Sequence, residues 1–395
     1  MQHPPSTQRR ADSTVRNHGI DVLRGLSILL VVLHHTGLRI PLKRTALGEW
    51  IPHRLLDALN YNGYEAVFVF FVISGFLITH NALERWGTLQ RIDVRAFYAR
   101  RFARIMPCLL LLVAVLSGLH LLGFDDYAID RVGQSLPRAI IAALGLHLNW
   151  YEGHTGYLPG GWDVLWSLSI EEVFYIGFPI VCLLVRRMWV LVAMLTLLAL
   201  SLPFTHAVLA GNEIWQEKAY LPGMAAIAVG VLGALVAACF NRPPRWVKVA
   251  LCIVGIVGLA CVMLAGREVW RLVHDTYLLV LVVSAMCLIL ALHWRESSGE
   301  LRNLPGTGWL QSFGRLSYEI YLTHMFVVFA AIRLYKLTGG DIRMGYAWYV
   351  PIVPACWLLG LGVARFISVP ADRALRARLA KPTALPGGSE AASTT

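Results

Sequence analysis

Across 395 residues, 57% are hydrophobic and only 15% charged, against roughly 45–50% and 25% in soluble domains, and the mean hydropathy is +0.58. That balance excludes a soluble protein, because too little polar surface remains to cover a core of this size. The net charge of +11 does not mark a nucleic-acid binder: Lys and Arg sit beside apolar runs, where positive-inside topology and anionic headgroups account for them. Membrane lipids, and no nucleic acid, are the expected partners.

In chain order, Met1 to Gly19 is polar, carries Arg9, Arg10 and Arg16, and is expected to be a disordered cytoplasmic tail over residues 1–19. Ile20 to Leu38, IDVLRGLSILLVVLHHTGL, is long enough to cross a ~30 Å hydrocarbon layer at ~1.5 Å per residue. With no small-x-small cleavage site behind it, it reads as a retained helix. A second span covers Tyr64 to Asn81. Leu83 to Arg104 then holds Arg85, Arg91, Arg95, Arg100, Arg101 and Arg104, the strongest cytoplasmic marker in the chain. A third span runs from Ile105 to Gly123. Leu136 to Tyr151 is apolar but short, and a full crossing there would put Arg186 and Arg187 outside, so it is expected to be re-entrant or interfacial. Further spans follow at Trp162–Val185, Met188–Leu209, Tyr220–Phe240, Val247–Ala265, Thr276–Trp294, Phe313–Leu334 and Ala347–Ile367.

The predicted fold is an all-α polytopic membrane protein, a bundle of about ten transmembrane helices over residues 20–370 with one short re-entrant or interfacial segment. Residues 371–395 form a second cytoplasmic tail, so both termini face the cytoplasm in a multi-pass protein of the plasma (inner) membrane. The seven cysteines fall in apolar runs without a CxxC pair, so buried reduced thiols are expected, with neither a disulfide framework nor a metal site.

Ionisable groups inside such spans cost on the order of 2.5–3.5 kcal/mol each at mid-membrane and default to a functional reading. Arg24 and His35 are eleven residues apart, which is three turns plus about 20°, so they share one helix face roughly 16 Å apart. His34 points about 80° away from Arg24 and reads as structural. In GGWDVLWSLSIEEVFY, Ser167, Glu171 and Tyr175 recur every four residues and form one polar stripe. Glu171 is expected at the depth of His35, where a carboxylate would fix the imidazole's tautomer and raise its basicity. Arg24, Arg100, Arg101, Arg104 and Arg315 form an inward cationic group suited to phosphate oxygens. GRLSYEIYLTH adds Ser317, Tyr318, Tyr321 and His324.

Five stretches, IDVLRGLSILLVVLHH, FVFFVISGFLI, FYARRFARIMP, LWSLSIEEVFY and GRLSYEIYLTH, fall in order over Ile20 to His324. Together they resemble the membrane-bound acyltransferase family 3, whose members typically move acetyl or other acyl groups onto cell-surface sugars. The resemblance puts the family's R-x10-H pair on Arg24 and His35, its arginine pair on Arg101 and Arg104, and its glutamate on Glu171. Two departures stand out. Ala66-Val67-Phe68 occupies the place of a common Gly-Val-Asp, and Ser368-Val369-Pro370 that of a common Glu-x-Pro, so neither site is assigned a function. The fused extracytoplasmic hydrolase-like domain that some relatives carry is not expected.

The resulting reading is an integral membrane O-acyltransferase that takes its acyl group from acyl-CoA, most simply acetyl-CoA, and gives it to a hydroxyl of a cell-surface glycan or related sugar, without a metal. His35 is the base, Glu171 its orienting partner and Arg24 the steering cation. Arg24, Arg100, Arg101 and Arg104 receive the donor's phosphates, and Trp166, Ser167, Tyr175 and His324 are the candidate substrate contacts. Transfer is direct or through an acyl-histidine. The alternatives are a proton-coupled transporter or flippase using the same groups as a relay, or acylation of a small glycosylated molecule.

Overall fold

The apolar runs form helices in the computed structural model, which describes residues 17–300 and 305–379. Helix α1 (His18–Gly37) opens with Asn17, whose side chain accepts from the Ile20 amide at 3.0 Å, satisfying one orphan donor of the first turn. Next come α2 (His53–Tyr61), α3 (Gly63–Trp86) and α4 (Val94–Leu121), then the short α5 (Leu136–Leu144) and α6 (Leu148–Thr155). The single turn α7 (Gly160–Asp163) runs into α8 (Leu165–Leu184). Helices α9 (Met188–Leu200) and α10 (Leu202–Val208) meet at a 41° bend, where Pro203 sits just after the break. Then follow α11 (Glu213–Lys218), α12 (Tyr220–Cys239), α13 (Arg245–Val273), α14 (Tyr277–Ser297), α15 (Gly308–Arg315), α16 (Ser317–Leu337), α17 (Tyr349–Val363) and, after a π-helical turn at Ala364–Ser368, α18 (Val369–Leu379). The chain is a helical, multi-pass membrane bundle.

Length and composition qualify eight stretches as membrane spans among the described residues, or nine with the bent α9–α10 pair. One of the eight, Arg245–Ser297, has 53 residues, about 80 Å of helix against a ~30 Å hydrocarbon layer. It is the hairpin of α13 and α14. A Cβ on Gly255 would lie 2.7 Å from Leu288, and one on Gly258 2.0 Å from the Ser284 hydroxyl, so the two helices lie antiparallel in contact. Taken as two crossings, the hairpin brings the count to the expected ten.

Several boundaries differ from expectation. The helix of the third span starts earlier than Ile105: Asp93 caps the Ala96 amide at 2.9 Å, and α4 is already helical through Arg100, Arg101 and Arg104. Leu136 to Tyr151 breaks at Leu146, whose φ is 58°, into helices of 9 and 8 residues, each too short to span. The expected second tail begins within a helix, since α18 runs on to Leu379; residues 1–16 and 380–395 lie outside the described residues. Of the cysteines, Cys239 and Cys261 are exposed rather than buried.

Helix α3 is the centre of the bundle, with Phe68, Phe71 and Phe76 almost fully buried. In lipid, helices gain little from hydrophobic burial against one another, so association depends on close van der Waals packing through small residues. The α3–α12 seam is built that way. A Cβ on Gly75 would stand 2.0 Å from the Ile227 carbonyl oxygen, and one on Gly230 2.0 Å from that of Val72. Both obstacles are backbone and cannot swing aside. Gly230→Val is therefore expected to lower stability by more than the usual overpacking cost of about 1–3 kcal/mol, read as a lower thermal unfolding midpoint in detergent. An unchanged midpoint would show that the seam does not hold the bundle together.

Candidate active site

Helices α1 and α16 run parallel, and the contacts between them fix the polar face of α1. Arg24 donates from Nη2 to the Ser317 hydroxyl at 2.8 Å, and Asp21 lies 3.8 Å from Nη1. Eleven residues further on, the His35 ring stands 5.0 Å from the His324 ring, centroid to centroid, tilted by 42°. The guanidinium and the imidazole thus both turn towards α16, as the eleven-residue spacing requires. His324 is fully buried. Its Nδ1 lies 2.8 Å from the Tyr321 carbonyl oxygen and 3.2 Å from that of Ile320. Carbonyls only accept, so Nδ1 carries the hydrogen and the neutral ring keeps its lone pair on Nε2, an atom with no hydrogen-bond partner.

Below the histidine pair, at the arginine-bearing end, α1, α3, α4, α8 and α16 border a cleft with a volume of about 200 Å³. Arg24, Arg101 and Arg104 supply three guanidinium groups, Ser167, Glu171 and Tyr175 line the α8 wall, and Phe70, Phe71 and Leu77 give an apolar wall on α3. The predicted Ser167–Glu171–Tyr175 stripe therefore faces one cleft. Hydroxyl groups tie its walls together. Tyr321 and Ser167 are 2.7 Å apart, Tyr318 donates to the Ile105 carbonyl at 3.0 Å, and Tyr175 is hydrogen-bonded to Ser74. The Arg101 guanidinium lies 4.5 Å above the Tyr175 ring, a cation–π contact.

Four expected site residues are placed differently. Glu171 does not sit beside His35. Its neighbours are Tyr175, at 3.4 Å, with Ser74, Arg101 and Arg24, whereas His35 is surrounded by His324, His34, Arg39 and Lys218. The carboxylate belongs to the depth of Arg24, and the imidazole's neighbour is a second imidazole. Arg100 leaves the cleft, because adjacent helical residues diverge by 100°, and its guanidinium stacks 5.0 Å over Trp86. Trp166 is buried between Phe71 and Tyr64, at 6.1 and 6.5 Å, and lines no part of the cleft. His324 stands behind the cleft wall rather than in it. His34 is structural, as expected, its Nδ1 donating to the Asn60 carbonyl at 3.0 Å.

A feature missed by the sequence reading lies close to His35 at the other end. Lys218 is 3% exposed and Glu152 0%, and the Lys218 ammonium reaches Glu152 Oε2 at 3.0 Å and also Asp163. Burial pushes the Glu152 carboxyl well up, Asp163 adds to that push, and Lys218 opposes it. Tyr157 closes over the ammonium at 4.3 Å. This clasp joins α6, α7 and α11. The signal available in the sequence was three ionisable residues embedded in apolar surroundings, with no regular spacing to link them.

A helical membrane bundle with a cationic cleft and, beyond the cleft wall, a histidine pair defines the class of protein: a multi-helix membrane bundle with a polar site inside it. The model of the acyltransferase 3 family, described as an acyltransferase domain, matches residues 17–367, and the chain belongs to that family. It is 24% identical over 350 residues to O-acetyltransferase OatA of Staphylococcus aureus (strain NCTC 8325 / PS 47), covering 81% of this chain and 52% of that protein. It is 26% identical over 381 residues to peptidoglycan O-acetyltransferase OatA of Listeria monocytogenes serovar 1/2a, covering 89% and 55%. The chain thus spans about half the length of the curated relatives it matches. No solved structure matches it.

The clasp gives a direct check on the geometry near His35. Lys218→Met leaves Glu152 and Asp163 without their cation, and breaking a buried pair on one side typically costs about 3–5 kcal/mol. Thermal unfolding in detergent should show a loss of that order, partly recovered in Lys218→Met/Glu152→Met. A single variant as stable as the parent would remove the clasp as a structural element.

Proposed function

We propose that the chain is an integral membrane O-acetyltransferase that moves an acetyl group from acetyl-CoA, or a related short acyl-CoA, to a hydroxyl of a cell-surface glycan. The observation that carries the reading is the cleft itself, lined by three guanidiniums, with the His35–His324 imidazole pair beyond its wall. The donor's phosphates dock on Arg101 and Arg104, and Arg24, held by Ser317, steers the pantetheine arm. Guanidinium forks match phosphate oxygens, and the charge-assisted bonds are each worth about 1.5–3 kcal/mol. The roughly 16 Å from Arg24 to His35 is comparable with an extended pantetheine, so one donor bridges both residues.

At the thioester, His35 takes the proton of the acceptor hydroxyl as its oxygen attacks the carbonyl carbon. The carbon–sulfur bond breaks, the ester forms, and the CoA thiolate recovers the proton from His35. Glu171 balances the charge of Arg101 and Arg24 within the cleft and is not the orienting partner of His35. The name of the Listeria monocytogenes relative, peptidoglycan O-acetyltransferase, favours peptidoglycan as acceptor, and the donor side faces the cytoplasm, where CoA is found and where the arginine-rich end belongs by the charge rule.

Purified protein in proteoliposomes with labelled acetyl-CoA tests this. His35→Ala is expected to reduce transfer by at least 10²–10⁴-fold, the usual contribution of a general base, with thermal unfolding unchanged. Arg101→Gln and Arg104→Gln should each raise the KM for acetyl-CoA about 10- to 100-fold, while Arg100→Gln changes it less than about twofold. Full activity in His35→Ala, or equal effects at Arg100 and Arg101, would overturn the assignment. Glycan-dependent flux without CoA release would favour transport instead.

A further inference from the structure

We propose that a second cavity, at the far end of α1 from Arg24, holds the acceptor and selects a hydroxyl-rich molecule of the sugar class. This inference rests on the acyl-transfer reading and names the side from which the hydroxyl arrives. The cavity has a volume of about 280 Å³ and is lined by Arg39, Asp126, Asp130, Gln134, Tyr157 and Phe329, among others, which puts it at the small end of ligand sites.

Its position follows from the two helices that carry the histidines. Arg39 is one helical turn beyond His35 and donates from Nη1 to the His35 carbonyl oxygen at 2.8 Å. The same guanidinium lies 4.7 Å over the ring of Phe329, which is on α16 five residues past His324. Arg24 and Ser317 border the first cleft on these same helices, so His35 and His324 lie between the two spaces. A thioester entering from one side and a hydroxyl from the other would meet at the imidazole.

The two cavities differ in charge. The first carries three guanidiniums against the one carboxylate of Glu171. The second sets the carboxylates of Asp125, Asp126 and Asp130 among the guanidiniums of Arg39 and Arg131, an amide and two aromatic rings. Carboxylates accept hydrogen bonds from paired hydroxyls, and amide and guanidinium groups complete such recognition, while the carboxylates repel a polyphosphate donor.

The wall is also held in place. The Gln134 amide nitrogen donates to the Gly156 carbonyl at 2.7 Å and lies 3.3 Å from that of Thr155, while its Oε1 has no partner. Glu152 Oε1 accepts the Leu158 amide at 3.0 Å, and Tyr157 covers Lys218. The buried clasp near His35 thus fastens residues 156–158, which border the cavity. A buried ion cluster adds little stability over apolar packing; here it fixes the wall that a sugar would meet.

The test uses the full chain in proteoliposomes, with acetyl-CoA and three acceptors: a soluble peptidoglycan fragment, an oligosaccharide from lipopolysaccharide, and a plain alcohol. Asp126→Asn/Asp130→Asn changes exposed side chains and should leave unfolding unaltered. The expected result is a KM for the sugar acceptor raised at least tenfold, with the KM for acetyl-CoA and the rate with plain alcohol changed less than twofold. A raised KM for acetyl-CoA, or an unchanged KM for the sugar, would overturn the proposal while leaving acyl transfer standing. So would a parent protein that acetylates the alcohol but neither sugar. If the parent uses no thioester with any acceptor, the acyl-transfer reading itself falls.

Discussion

The parallel pairing of α1 with α16 is the constraint on which the rest depends. It seats Arg24 on Ser317 and His35 on His324, and so converts an eleven-residue spacing into a track with a cation at one end and a base at the other. The pairing is possible because α15 lies almost in contact with α1. A Cβ on Gly25 would fall 2.1 Å from the Leu310 carbonyl oxygen, and one on Gly314 1.8 Å from that of Asp21. With no side chain at either position, α15 delivers α16 to the level of Arg24. Larger residues would displace α16 and separate both pairs at once.

Around this track the balance of charge changes. Three guanidiniums face one carboxylate in the cleft between α1, α4 and α8, while three carboxylates face two guanidiniums in the cavity at Arg39. The two imidazoles lie between, with the carbonyl oxygens of Ile320 and Tyr321 fixing the tautomer of His324. Leaving a polar atom unpaired inside the bundle costs free energy, and His324 Nε2 is such an atom. The His324 ring stands 5.0 Å from that of His35, centroid to centroid, and in the proposed reaction it takes the place beside the base that a carboxylate does not fill.

Much of this was legible in the sequence because helical periodicity links residues on one element. The Arg24–His35 face, the Ser167–Glu171–Tyr175 stripe and the ten apolar runs all follow from spacing alone. What spacing does not fix is the relative depth of two different helices. Glu171 was assigned to His35 because both were counted from membrane ends, whereas the packing of α8 against α16 through Ser167 and Tyr321 sets Glu171 at the level of Arg24. Likewise a run of arginines says nothing about direction: Arg100 and Arg101 are adjacent, yet one lies over Trp86 and the other over Tyr175. The clasp of Lys218, Glu152 and Asp163 was invisible because its members come from three elements far apart in the chain. Ser368, where relatives often carry an acid, proves to donate to Glu319 at 2.7 Å, so the carboxylate at that contact is supplied by α16.

The central claim is that one donor molecule lies along α1, from the arginines to the histidine. A cryo-electron microscopy map of the protein with a non-hydrolysable acetyl-CoA analogue tests it most directly. The account predicts phosphate density against Arg101 and Arg104, the pantetheine passing Arg24, and the acyl carbonyl within hydrogen-bonding reach of His35. An analogue bound outside the cleft, or one whose acyl end points away from His35, would contradict it.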